Sequence, residues 1–133
     1  MGRREPPTDV VLLGAEWKPR ALIRAQLIEE GLEVVAADTW AIMRRHLRPG
    51  AKPRLALVDL RGLEEPGQVL RDLAVLMKPE RVFVLAAAAT VPRPVIARLG
   101  YQILDRPITI AAIVAAVRSA LRRDRHQHNA SSP

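Results

Sequence analysis

Residues 55–62 read LALVDLRG, five apolar residues interrupted at Asp59 by a single acid. The run Leu55–Leu60 predicts a strand, because a short and almost entirely apolar run is typical of a strand buried on both faces of a parallel sheet. An unpaired carboxylate is costly to bury, so Asp59 must be neutralised, paired or placed at the exposed tip of the strand. Two interpretations stay open: a carboxylate that binds a ligand or accepts a phosphoryl group, and an acid that caps the following loop.

Four further runs predict strands around this one. Three of them are rich in β-branched residues: Val10–Leu13, Glu33–Ala37 and Val82–Ala86. The fourth, Tyr101–Leu104, is a weaker candidate. Because each run is short and mostly apolar, the pattern favours a parallel sheet covered on both faces.

Helical segments lie between these runs. The predicted helices are Pro19–Glu30 with Gly31 as a stop, Trp40–Leu47 after Thr39, Pro66–Leu76, a short helix starting near Pro94, and a last helix capped by Thr109. Five strand–helix units in about 120 residues predict an α/β fold: a flavodoxin-like (βα)5 arrangement, a doubly wound five-stranded parallel sheet in a three-layer α/β/α sandwich.

Length and composition set further limits. The 133 residues predict one domain at 9–123, with a flexible segment at 1–8 and a flexible polar tail at 124–133. The absence of cysteine excludes disulfides, thiol catalysis and cysteine-based zinc sites. No apolar run is long enough for a membrane span and the start has no apolar signal region, so we expect a cytoplasmic protein with no membrane partner.

The formal net charge of +7 first suggests nucleic acid as a partner. Residues 9–117 carry only +3 of it, and the rest lies near the two ends. Aromatic residues make up only 3% of the chain, few for single-strand binding. Solvated helix faces are therefore the default interpretation of the basic residues, and a nucleic-acid-associated module remains an alternative.

The layout resembles the receiver domain of two-component response regulators over residues 9–123. The matching features are Asp59 at the end of the third strand, the pair Arg106-Pro107 after the fifth, and Thr109 opening the last helix. The resemblance implies that Asp59 corresponds to the aspartate phosphorylated by a histidine kinase. It further implies that Arg106 replaces a lysine that contacts the acyl phosphate, and that Arg106-Pro107 is a candidate cis peptide.

The departures from that family concern its metal site and its switch. Gly14 and Ala15 stand where two acids usually help to hold Mg²⁺, which prefers oxygen ligands. Glu16 comes one or two positions after the usual place of these acids, and its use as a substitute ligand stays open. Ala86 stands in place of the usual hydroxyl residue, and Ile103 in place of the usual aromatic.

These departures predict a degenerate receiver domain, or pseudo-receiver. We expect no enzyme activity, no cofactor and no resident Mg²⁺. Arg106 is expected to pair with Asp59 in place of the metal, because arginine forms a permanently charged, bidentate pair with a carboxylate. The expected role is a signalling module that contacts a protein partner, either a histidine kinase or another signalling protein. Formation of a homodimer stays open. A phosphorylatable receiver that uses Asp59 and Glu16 remains the first alternative.

Overall fold

The computed structural model describes residues 7–50, 52–87 and 90–130, and it describes side chains as far as Arg123. Five strands alternate with five helices along the chain. They are β1 Val10–Leu13, α1 Trp17–Glu29, β2 Val34–Ala37, α2 Trp40–Arg45, β3 Leu55–Asp59, α3 Pro66–Leu76, β4 Val82–Leu85, α4 Arg93–Arg98, β5 Gln102–Leu104 and α5 Ile110–Ala130, with a 3₁₀ turn at Pro79–Arg81 before β4.

The five strands form one parallel sheet in the order β2-β1-β3-β4-β5. This is the flavodoxin-like order, and it confirms the predicted fold class. In such a sheet a ligand crevice opens beyond the carboxyl ends of the strands, at the point between β1 and β3 where the strand order reverses. Asp59 is the last residue of β3 and lies at that edge.

Alternate side chains of the central strands enter two apolar cores on opposite faces of the sheet. One core receives residues of α2, α3 and α4, including Met43, Leu70 and Ile96. The other receives residues of α1 and α5, including Leu27 and Val117. This division gives the three layers that the sequence predicts.

Several helix ends follow from local chemistry. The Thr39 and Thr109 side chains accept hydrogen bonds from the third residue beyond them, so they cap α2 and α5 as expected. Gly31 follows α1 with a φ of +84°, a conformation that favours glycine and ends the helix. Pro92 is the N-cap of α4 and Pro94 lies in its first turn, so the helix begins at Arg93, because proline is tolerated only at the start of a helix.

The C-terminal helix differs from the sequence-based boundary. The sequence predicts a flexible tail from residue 124, whereas α5 continues to Ala130. Residues 124–130 contain neither glycine nor proline, so no local signal ends the helix there. Residues 1–6 of the predicted N-terminal segment and 131–133 of the tail lie outside the described residues.

Candidate functional site

Asp59 is the buried acid on which the site is built. Its residue is only 4% exposed although it ends a strand, and it lies opposite Leu85 of β4 in the sheet register. A carboxylate at this depth needs charged or hydrogen-bonding partners. Two arginines and one backbone amide supply them.

Arg106 reaches Asp59 from the loop after β5. Its Nη2 donates to Asp59 Oδ1 at 2.7 Å, and its Nε donates to the carbonyl oxygen of Ala86 at 3.1 Å. The peptide bond between Arg106 and Pro107 is cis. The two donated bonds hold the guanidinium across the ends of β3 and β4, so the structure brings together the pair that the sequence suggests.

Arg61 is a second guanidinium on the same carboxylate, and sequence reasoning missed it. Its Nη2 donates to Asp59 Oδ2 at 3.3 Å and its backbone N–H donates to Oδ1 at 3.0 Å. Its Nε is buried and has no hydrogen-bond partner among the described residues. The available signal was its position two residues after a buried acid, where a side chain and amide can fold back on the carboxylate.

The end of β1 holds no carboxylate, and an arginine covers it. Arg20, in the first turn of α1, donates from Nη1 to the carbonyl oxygens of Gly14 at 2.7 Å and Ala15 at 3.4 Å. Helical side chains point back toward the N-terminus of their helix, which explains how Arg20 reaches this loop. Glu16 is exposed, and its side chain lies over Gly62 rather than in a described contact with Asp59.

The donors at this edge do not fit a magnesium ion. Mg²⁺ requires several oxygen ligands in nearly octahedral order. Both oxygens of Asp59 are already bound by guanidinium groups, and a third guanidinium occupies the carbonyl oxygen of Gly14. Within the described residues, no group of three or more His, Cys, Asp or Glu side chains gathers in a way that could hold a metal.

Ala86 and Ile103, the other two positions that depart from receiver domains, contribute a backbone atom and side-chain packing. Ala86 offers its carbonyl oxygen to Arg106 but no hydroxyl group. Ile103 is half-buried on β5 and packs against the core shared with α3 and α4. Tyr101, directly before β5, is buried, and its hydroxyl donates to the carbonyl oxygen of Leu70. That burial raises the pKa of Tyr101 well above its ordinary value.

The basic residues do not form one surface. Arg44 and Arg45 lie on α2, while Arg118, Arg122 and Arg123 lie on α5. These helices pack on opposite faces of the sheet. A cleft of about 590 Å³ lies beside the Asp59 edge and is lined in part by Ala15 and Gly62. The charged residues that line it are acids: Asp38, Glu64, Glu65 and Asp72.

No described helix combines the length and the apolar character needed to span a bilayer. Trp17, the first residue of α1, is 70% exposed.

The chain is similar to known proteins in structure but matches no family by sequence. No protein-family model matches the chain, and no curated protein matches it. Among solved structures, a CheY-like response regulator receiver domain protein from Methanospirillum hungatei JF-1 is 15% identical, with a TM-score of 0.76 over 92% of this chain and 99% of that one.

Two further receiver domains give the same result. The one from Clostridium thermocellum is 17% identical, with a TM-score of 0.72 over 90% of this chain and 98% of that one. The one from Bacillus halodurans C-125 is 20% identical, with a TM-score of 0.63 over 86% and 97%. At these identities the likeness establishes the fold that this chain shares with receiver domains.

Proposed function

We propose that this chain is a degenerate receiver domain that acts as a protein-interaction module in signalling, without Mg²⁺-dependent phosphorylation. The observation that carries the proposal is the occupation of Asp59 by Arg106 at 2.7 Å and by Arg61 at 3.3 Å. The shared fold and the position of Asp59 at the end of β3 support a receiver ancestry.

The missing metal ligands and the occupied carboxylate are our reasons for proposing that phosphoryl transfer to Asp59 is disfavoured. Transfer of a phosphoryl group depends on cations that offset the charge of the acceptor and of the incoming group, and a metal also orients both. Here the acceptor oxygens are hydrogen-bonded to guanidinium groups fixed at the ends of β3 and β5. An arginine is always charged and prefers a carboxylate in a fixed geometry, so the pair favours one state of the site.

The same features support a non-enzymatic role. Within the described residues no group of three or more His, Cys, Asp or Glu side chains could hold a metal, and Gly14 and Ala15 at the end of β1 bring no side-chain oxygen. We therefore propose that the chain needs no cofactor and that its partner is another protein, a histidine kinase or a different signalling protein. The proposed location is the cytoplasm.

Intact mass spectrometry tests this proposal. The protein is incubated with acetyl phosphate and Mg²⁺, and we expect its mass to stay unchanged. An adduct of ~80 Da that disappears in Asp59→Asn would overturn the proposal and favour the phosphorylatable alternative.

A restored variant makes a negative result informative. Gly14→Asp with Ala15→Asp, Arg61→Met and Arg106→Lys adds two acids and a lysine to the site and removes both guanidinium groups from Asp59. A Cβ at Gly14 would meet its neighbours no closer than 3.6 Å, so the backbone accepts a side chain there. We expect this variant to bind Mg²⁺ in a calorimetric titration in which the unmodified protein shows no binding. Equal binding of Mg²⁺ by both proteins would contradict the proposal.

A further inference from the structure

We infer that α1 is the dimerisation surface of this protein, and that two copies pair through it in antiparallel orientation. This inference goes beyond the proposed function and does not depend on how Asp59 is held. It begins with an unusual distribution of apolar residues. Four large apolar side chains are exposed among the described residues, and three of them lie on α1: Trp17, Leu22 and Ile28.

The exposed apolar residues lie on the outward face of α1, where Lys18 and Glu29 separate Leu22 from the others. Ile23 and Leu27 point into the core, and at 100° per residue the opposite side of the helix carries Ala21 and Ala25 at its centre. Both alanines are exposed. Trp17 and Ile28 lie along one border of this face and Leu22 along the other. Because a surface helix normally keeps its outward face polar, three large apolar side chains around a single Lys–Glu pair indicate a contact.

The charges of α1 identify a second copy as the occupant. Its charged residues are placed unfavourably with respect to the helix dipole: Lys18 and Arg20 lie in the first turn, and Glu29 ends the helix. Cations near a helix N-terminus and anions near its C-terminus destabilise an isolated helix. An antiparallel copy brings the basic start of each helix to the acidic end of the other, so the unfavourable arrangement becomes favourable.

One two-fold axis satisfies both the charges and the apolar contacts. Lys18 and Glu29 are eleven residues apart, about three helical turns, so they lie on the same side of α1. Neither has an ion-pair partner within the described part of the chain. An axis beside residues 23 and 24 places Lys18 next to Glu29 of the second copy and Leu22 next to its Ala25. The small alanines at the centre let the two helices approach closely.

The size of the face sets the strength of the dimer. α1 has 13 residues, which gives a contact about 20 Å long. A single pair of short helices buries less area than a standard protein interface, so we expect a reversible dimer with a Kd of roughly 10–100 µM.

Analytical ultracentrifugation over a range from about 5 µM to 1 mM tests the inference. We expect the unmodified protein to dimerise within this range. Ala25→Glu places a charge at the centre of the face and should leave a monomer, whereas the control Val75→Glu, at a residue 84% exposed on α3, should dimerise normally. A protein that remains monomeric throughout, or a dimer that Ala25→Glu leaves intact, would overturn the inference.

A charge reversal tests the antiparallel register. Lys18→Glu and Glu29→Lys each turn two symmetric attractions into repulsions, so each should weaken dimerisation by roughly tenfold. Combining them should restore it. Lys18→Glu should at the same time raise the Tm of the monomer, because it places an acid in the first turn of the helix. A combined variant that dimerises as weakly as the single variants would exclude this register.

Discussion

Replacing Arg106 by alanine tests how much the arginine contributes at Asp59. The substitution removes the charge-assisted hydrogen bond to Asp59 Oδ1 at 2.7 Å and the bond to the Ala86 carbonyl oxygen at 3.1 Å. Hydrogen bonds in which one partner is charged contribute about 1.5–3 kcal/mol each, and the guanidinium is the charged donor in both of these bonds. The buried carboxylate would keep only Arg61 as a charged partner.

Two features of the structure reduce the sum of these values. The Arg106 side chain is 26% exposed, so water can replace part of what is lost, and the Arg61 amide and guanidinium remain on the carboxylate. We therefore expect Arg106→Ala to lower the free energy of unfolding by about 2–3 kcal/mol, in urea denaturation followed by circular dichroism.

Arg93→Ala is the matched control. Arg93 also pairs with an acid, Asp105, near the same edge of the sheet, but both side chains are more than half exposed. A surface pair of this kind should change the free energy of unfolding by no more than about 0.5 kcal/mol. Equal losses in Arg106→Ala and Arg93→Ala would refute the reasoning.

A double-mutant cycle isolates the pair itself. Asp59→Asn, Arg106→Ala and the combined variant should give a coupling energy of about 1–2 kcal/mol, because the two residues are in direct contact. A coupling energy of zero would mean that Arg106 stabilises the fold only through Ala86.

The remaining predictions concern local stability. Thr109→Ala should lower the free energy of unfolding by about 1 kcal/mol, because it removes the cap on the Ala112 amide. Gly62→Ala should cost about 1 kcal/mol because φ is +68°, whereas Gly67→Ala, within α3, should stabilise by about 0.5–1 kcal/mol; urea titration measures both. Burial raises the pKa of Tyr101, so the folded state keeps a proton that the unfolded state loses above about pH 10. Stability should therefore fall as the pH rises beyond that value, and less steeply in Tyr101→Phe.

Most of the architecture could be predicted from the sequence. The strand Val10–Leu13 and the helix Pro66–Leu76 have the predicted bounds, and the other strands differ by one residue at an end. Strands buried on both faces are apolar throughout, and helix ends depend on nearby threonine, glycine and proline, so both signals are local. The end of α5 was missed because residues 124–130 carry no local stop signal.

The candidate site divides in a similar way. The sequence alone determined that β1 ends without acids, that a single carboxylate ends β3, and that an arginine follows β5. Only the tertiary structure decided that Arg61 shares Asp59 with Arg106 and that Arg20 covers the Gly14 carbonyl oxygen. Residue types and strand ends are written along the chain. The direction in which a long guanidinium side chain turns, however, depends on which carboxylate or carbonyl oxygen the folded sheet brings within its reach.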